Sequence, residues 1–390
     1  MYKIQKLNKI SPKGLELFPS DQYEYATEIV NPDAILVRSA AMHDLDLPES
    51  LKAVARAGAG VNNIPIEKCA EKGIVVFNTP GANANGVKEL VLMGLLMASR
   101  KVYDGITWAK GLKGKGDEVP KLIEKGKSDF EGPEIKGKKL GVIGLGAIGV
   151  MVANDAQALG MEVAGFDPFI SVDAAWGLSR SVKKSISLDS LLADSDYVTL
   201  HVPLNDATRG LINKDKFNIM KKGTRLLNFA RGGLVNNDDL KAAIDQGIIS
   251  CYVTDFPDEE LLSIDRVIPI PHLGASTPES EDNCAIMAVN QIKAYLEMGN
   301  IVNSVNYPDC MLPLTGKMRI IIANKNVPNM IGQITQVLAD HNINIADMLN
   351  KSKGDYAYNI IDIDGNADDA LVNKLKSIKD IIMVRLLAKK

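Results

Sequence analysis

Short runs of aliphatic and β-branched residues punctuate the first hundred positions, with gaps long enough for crossover helices. AILVRS (34–39), KAVARA (52–57) and GIVVFN (73–78) read as buried strands. NGVKELVLMGLLMASRK (85–101) then reads as one long, mostly buried helix. A second series follows. KLGVIG (139–144), EVAGFD (162–167), DYVTLHV (196–202), RLLNFA (225–230), CYVTDF (251–256) and VIPIPH (267–272) are predicted strands, with helical periodicity over 148–160 and 236–247 between them. Asn and Asp open the second of these helices and Gly247 closes it, as free N–H and C=O groups at helix ends require. Strand–helix alternation at this spacing predicts an α/β fold with a parallel, doubly wound sheet.

Two stretches break the pattern. Residues 111–139 are rich in Gly and Lys without apolar periodicity, which predicts a surface loop or arm. Residues 299–317 carry Pro and Gly with no period and read as a linker. Beyond them come MRIIIA (318–323), a helix with Ile331, Ile334, Val337 and Leu338 on one face, INIADML (343–349), YAYNIIDI (356–363), DDALVNKLKSI (368–378) and IIMVRLL (381–387). The order is βαββαβ, a small domain of its own over 318–390.

Composition narrows the function. Apolar residues are 46% and charged residues 24%, the balance of a soluble globular chain. Lys plus Arg is 45 against 48 for Asp plus Glu, so the positive excess that nucleic acid or a membrane surface would attract is missing, and neither partner is expected. The longest nearly unbroken apolar run, Leu90–Ala98, falls short of the roughly 18 residues of a membrane span. MYKIQKLNKI lacks the apolar segment of a secretion signal, and four scattered cysteines without CxxC fit a reducing compartment; a cytoplasmic location is expected. The four histidines (His43, His201, His272, His341) have no metal-ligand spacing, so no metal is expected.

Gly144-Leu145-Gly146-Ala147-Ile148-Gly149 is GxGxxG, closing a predicted strand and opening a predicted helix, with Asp167 ending the next strand 167 − 149 = 18 residues on. Gly144 permits the tight turn, Gly146 admits a pyrophosphate to the backbone, and Gly149 lets helix and strand pack closely. Unpaired N–H groups at the helix start, from Ala147 and Ile148 onward, suit phosphate. Asp167 can accept from both ribose hydroxyls and repels a 2′-phosphate, so NAD is the expected cofactor. Gly126-Lys127-Ser128 imitates the end of a triphosphate loop, but the required first glycine is Lys121, and the stretch is read as solvated loop.

AIGV following GVIGLG, LHVPLNDATRGLIN (200–213), LLNFARGGLVNNDDL (226–240), YVTDFPDEEL (252–261) and PHLGAST (271–277), with ARAGAGVNNI (55–64) before them, resemble the signature blocks of the D-2-hydroxyacid dehydrogenases. With the βαββαβ tail the chain is similar to the short-form D-3-phosphoglycerate dehydrogenases that carry one C-terminal ACT domain. The resemblance implies a discontinuous flavodoxin-like substrate domain (1–90 and 280–307), an inserted Rossmann nucleotide-binding domain (91–279) and a ferredoxin-like ACT domain (318–390). It also implies NAD-dependent, reversible oxidation of D-3-phosphoglycerate to 3-phosphohydroxypyruvate, the first step of phosphorylated L-serine synthesis. A homodimer or higher homo-oligomer is implied, with the arm at 102–135 near the contact.

Site roles follow from the same resemblance. Arg231 in NFARGG binds the carboxylate and keto oxygen, for which its planar fork is suited. His272 in PHLGAS is the acid–base group, because imidazole titrates near neutrality. Its acidic partner falls in DFPDEEL, where Asp258, Glu259 and Glu260 stand together; ungapped counting from Arg231 gives Glu260 (260 − 231 = 29), and a one-residue deletion gives Glu259. Asp255 lies beside the nicotinamide carboxamide, with Phe229, Ala230, Gly274 and Ala275 lining that pocket and His201, Val202 and Pro203 contributing cofactor-side backbone. Arg38, Arg56 and Asn83 match substrate positions, the arginines for a dianionic phosphate. An ACT tail implies an amino-acid effector, L-serine, at Asn324, Asn326 and Asn344. Taken singly, a histidine after proline or an acidic loop is commonly structural; the joint order of the blocks is what points to an enzyme. Rival expectations are another D-2-hydroxyacid dehydrogenase, such as a glyoxylate or 2-oxoglutarate reductase, and a nucleotide-sensing, corepressor-like binding protein.

Overall fold

A computed structural model describes residues 1–388; Lys389 and Lys390, the end of the expected 318–390 domain, lie outside the described residues. The chain divides into two compact units, 1–83 with 278–390, and 84–277.

The first unit holds a parallel five-stranded sheet in the order Tyr23–Ala26, Tyr2–Lys6, Ala34–Val37, Ala53–Arg56, Val75–Phe77. Counted along the chain this is 2-1-3-4-5, the flavodoxin-like order. Ala34–Val37 and Ala53–Arg56 are apolar on both faces because both faces are covered. Leu36, Ala55 and Phe77 pack on Ala288, Val289 and Ile292 of the helix Pro278–Met298, while Ile35, Val54 and Val76 form a separate cluster opposite.

The same unit contains the antiparallel sheet Ile345–Lys353, Tyr356–Ile363, Met318–Lys325, Ile381–Ala388, the order 2-3-1-4 of a ferredoxin-like βαββαβ unit. In its two central strands successive side chains point to opposite faces and both faces are buried. Ile320, Ile322, Ile361 and Ile363 meet Ile334, Leu338, Leu371 and Leu375 of its own two helices, whereas Ile321, Ala323, Tyr358 and Ile360 join the cluster of the five-stranded sheet. Segment 299–317, expected as a linker, is instead built into that cluster. Ile301 bridges Cys310, the Asn306 amide bonds the Val76 N–H and the Ile74 carbonyl (2.9 Å each), and the Tyr307 hydroxyl donates to the Ala70 carbonyl (2.8 Å). Buried Arg319 ties the sheet to the end of the long helix: its fork holds Asp362 (2.6 and 2.9 Å) and its remaining nitrogen donates to the Met298 carbonyl (2.8 Å). Burial alone would raise the Asp362 carboxyl, but Arg319 and the Thr315 N–H hold it below its ordinary value.

The second unit is a parallel seven-stranded sheet. Counted from Lys139–Ile143 its order is 3-2-1-4-5-6-7: Lys183–Lys184, Glu162–Phe166, Lys139–Ile143, Tyr197–Leu200, Thr224–Asn228, Ile249–Thr254, Val267–Pro269. The order reverses between Lys139–Ile143 and Tyr197–Leu200, the switch point at which doubly wound sheets bind ligands. The stretch expected as a loop over 111–139 is partly helical, with Val102–Gly111 leading in, Val119–Gly126 following, and the Trp108 ring 5.3 Å from that of Phe130. No helix among the described residues is long and apolar enough to cross a membrane.

Candidate active site

Local sterics account for two of the three glycines of the phosphate turn. Gly144 has φ +89°, and a side chain there would come within 2.6 Å of the His201 carbonyl. A side chain at Gly149 would collide with the Gly144 carbonyl, whereas Gly146 faces open space. The helix Ala147–Ala158 starts at Gly146 without a side-chain cap, so its first N–H groups point outward unused. Asp167, at the end of Glu162–Phe166, braces the turn by accepting from the Leu145 and Phe169 N–H groups (2.8 Å each). Across the switch point the His201 N–H bonds the Ile143 carbonyl (2.7 Å), and its ring shares a hydrogen bond with Thr199 (3.0 Å). Burial pushes the His201 ring down to about 3, which keeps it neutral; its Nδ1 is buried without a partner. Val202 lies against Gly144, and the Pro203 carbonyl accepts from the Thr208 hydroxyl (2.6 Å).

Arg231 leaves the sheet in a turn pinned by buried Asn228, whose amide donates to the Arg231 carbonyl (2.8 Å) and accepts from the Ala230 N–H (3.2 Å). Sequence reasoning missed Asn228; a polar residue ending an apolar strand was the available signal. Phe229 is buried beneath the turn, and the exposed Arg231 guanidinium donates to the Ala230 carbonyl (2.7 Å). Asp255 follows the strand Ile249–Thr254 and is 2% exposed, with Oδ1 unpartnered. Burial pushes its carboxyl up to about 6, against the pull of its own backbone N–H and of Arg231. The His272 ring packs against Phe256, tilted by 49° with centroids 4.5 Å apart; burial first, then the positive charge of Arg231, hold it below its ordinary value. Gly274 adjoins Asp255 Oδ2, and Ala275 beside it is half-buried. The structure thus brings Arg231, Asp255 and His272 into one electrostatic neighbourhood.

Three expectations differ. The His272–Glu260 pair is not formed: Glu260 accepts from the Asn237 amide (3.0 Å), and no carboxylate raises the histidine. The reason is local, because Asp258 caps the short helix Glu259–Leu262 and turns Glu259 and Glu260 outward, both exposed. Asn324 is buried and committed, donating to the Lys325 carbonyl and accepting from Asn359 (2.6 and 2.7 Å). Asn326 and Asn344 are at opposite ends of the antiparallel sheet. Asn326 bonds the Gly354 carbonyl beyond the Lys325–Tyr356 pair, and Asn344 bonds Asp364 beyond the Met318–Ile363 pair. Seven residue steps along the strand, roughly 23 Å, separate the two pairs, so one amino acid cannot touch both within a chain.

The substrate positions lie in the first unit. Arg56 Nε donates to the Arg38 carbonyl (2.9 Å), Arg38 pairs with Glu281 (2.7 Å), and half-buried Asn83 ends the segment. Asn8, also missed in the sequence, accepts from three successive N–H groups, Arg38, Ser39 and Ala40 (2.9, 3.0 and 3.0 Å), and so fixes the loop that presents Arg38.

Residues 92–274 match the family described as D-isomer specific 2-hydroxyacid dehydrogenase, NAD binding domain. A D-3-phosphoglycerate dehydrogenase of Haemophilus influenzae is 32% identical over 347 residues, covering 84% of this chain and 79% of that protein. The chain belongs to the D-isomer specific 2-hydroxyacid dehydrogenase family. A D-3-phosphoglycerate dehydrogenase of Methanocaldococcus jannaschii is 34% identical over 335 residues; the match covers 84% of this chain but only 61% of the archaeal protein, so this chain spans less than two thirds of that relative. The solved structure of NAD+-bound 3-phosphoglycerate dehydrogenase from Entamoeba histolytica gives a TM-score of 0.57 at 25% identity, covering 78% of this chain and 98% of that one. As in other members of the D-isomer specific 2-hydroxyacid dehydrogenase family, the nucleotide unit is an NAD-binding domain. Its groups fit the dinucleotide: an uncapped helix start and open space at Gly146 for the pyrophosphate, Asp167 at the strand end for a ribose, and the orphaned Asp255 oxygen for a carboxamide N–H.

Proposed function

We propose that the chain is an NAD-dependent D-3-phosphoglycerate dehydrogenase, converting D-3-phosphoglycerate reversibly to 3-phosphohydroxypyruvate at the start of phosphorylated L-serine synthesis. The observation that carries this reading is the grouping of Arg231 and His272, with the charge of one lowering the basicity of the other. The Arg231 fork holds the 2-hydroxy acid by its carboxylate and polarises the C2 oxygen. A neutral His272 ring nitrogen takes the hydroxyl proton during oxidation and returns it during reduction. The chemistry NAD would supply, when bound, is acceptance of the C2 hydrogen as hydride, which turns the carbinol into a carbonyl. Asp167, Asp255 and the 144–149 turn hold the nucleotide, with His201–Pro203, Phe229, Ala230, Gly274 and Ala275 around it. Arg38 and Arg56 receive the phosphate, and Asn83 completes the substrate set.

Glu260 is our assignment for the partner that stabilises protonated His272, with Glu259 as the alternative; pairing requires Glu260 to leave Asn237. L-Serine is the proposed effector. Because Asn326 and Asn344 are at opposite ends of the sheet, the site needs two copies of the chain, which accords with a cytoplasmic homodimer or larger homo-oligomer. The test is NADH oxidation with a panel of 2-keto acids. Phosphohydroxypyruvate should give the highest kcat/KM, and a glyoxylate or 2-oxoglutarate preference would overturn the assignment.

A further inference from the structure

The first unit carries an ion pair that the chemistry above leaves unused. Glu281 sits in the first turn of the helix Pro278–Met298, nine residues after His272, and its Oε1 lies 2.7 Å from an Arg38 terminal nitrogen. Both side chains are roughly half exposed, so the pair is open to solvent and to an incoming anion. Arg38 is not loosely placed: Asn8 fixes its backbone through three N–H groups, and Arg56 Nε caps its carbonyl. The Arg56–Arg38 and Arg38–Glu281 contacts join the three charges, which also act on the buried Cys284 thiol. Burial pushes that thiol up, the Thr79 hydroxyl and then the two arginines pull it back, and Glu281 opposes them. The cluster therefore carries two positive charges and one negative one. A carboxylate in a helix's first turn is favoured by the helix dipole.

We propose that Glu281 is a specificity-determining residue: it competes with the substrate's phosphate for Arg38, and so sets how strongly the site prefers a phosphorylated acid. The inference rests on the reading of Arg38 as a phosphate ligand. A dianion approaching Arg38 must displace Glu281 from the guanidinium or accept it as a like-charged neighbour. Either route weakens binding of the phosphorylated acid, whereas an acid without phosphate leaves the pair untouched. Glu281→Gln keeps the size and the hydrogen-bonding capacity but removes the charge.

The test compares wild type with Glu281→Gln on phosphohydroxypyruvate and on hydroxypyruvate, with Glu281→Asp as a second variant. Glu281→Gln should lower KM for phosphohydroxypyruvate about three- to tenfold, the scale of one partly exposed charge acting on a dianion. The gain should shrink as salt rises from about 0.05 to about 0.5 M, because screening removes it. KM for hydroxypyruvate should stay within about twofold of wild type, because its binding involves no phosphate. Glu281→Asp, which keeps the charge, should behave as wild type toward both acids. A KM for phosphohydroxypyruvate that rises in Glu281→Gln, or that falls equally for both acids, overturns the proposal. Wild type that prefers the phosphorylated acid with Glu281→Gln unchanged refutes the role of Glu281 alone. Wild type that treats both acids alike refutes the function on which it rests.

Discussion

Asp255 offers the sharpest check on how the nucleotide site is built. Its carboxyl is 2% exposed, one oxygen lacks a partner, and burial has moved it from 3.8 to about 6. A native carboxyl that titrates later than the unfolded one binds its proton more tightly in the fold. The cost is therefore absent below about pH 4, grows between about pH 4 and 6, and is fully present above that. Roughly two pH units at about 1.4 kcal/mol each make ~3 kcal/mol the upper bound of the cost at pH 8. Asp255→Asn keeps the shape and removes the charge, so the NAD-free protein should gain about 1–3 kcal/mol at pH 8. For a unit of this size that is a melting transition raised by roughly 2–10 °C. Thermal melts of both proteins at pH 8 and near pH 4.5 show it directly: the difference should be large in the first and small in the second. Added NAD should narrow the difference, because wild type alone retains the carboxylate for the cofactor. A variant that melts lower than wild type at pH 8, or by the same margin at both pH values, would refute the idea that the buried oxygen is left unsatisfied for a ligand.

Other consequences are open to measurement. His272→Ala should lower kcat by about 10²–10⁴-fold, the usual worth of one acid–base group, and Arg231→Lys should damage both kcat and KM, as steady-state kinetics would show. The pH profile of ketone reduction should narrow in Glu260→Gln; the same change in Glu259→Gln alone would move the assignment by one residue. Arg319→Met leaves Asp362 buried and unpaired and should cost about 3–5 kcal/mol in urea unfolding. Asp167→Ala should narrow the NAD to NADP ratio of kcat/KM, and an unchanged ratio would take the residue away from the ribose.

Local chemistry was legible in the sequence wherever short-range sterics or spacing decide the structure. The glycines of 144–149, the strand ahead of them and Asp167 behind are of that kind, since a tight turn, a close helix approach and a strand end each demand particular residues. So are the β-branched and aromatic runs of Met318–Lys325 and Tyr356–Ile363, which are buried almost throughout. The strands Tyr2–Lys6 and Tyr23–Ala26 escaped because polar residues interrupt them and only Ile4 and Tyr23 are fully buried.

Partnership was another matter. Nothing in an aperiodic stretch announces that Ile301, Tyr307 and Cys310 will be buried, because what buries them comes from segments far away in the chain, both before and after them. Block matching placed Glu260 near His272, but the Asp258 cap, a contact three residues long, turned the carboxylate toward Asn237. Strand register likewise parted Asn326 from Asn344, which lie only 18 positions apart in the chain. By itself the sequence determined most of the strands, the nucleotide turn and the residue types that the chemistry needs. The tertiary structure alone decided who faces whom: Glu281 and Arg38 are 243 positions apart, and their pairing depends on where a helix starts, not on any pattern within either segment.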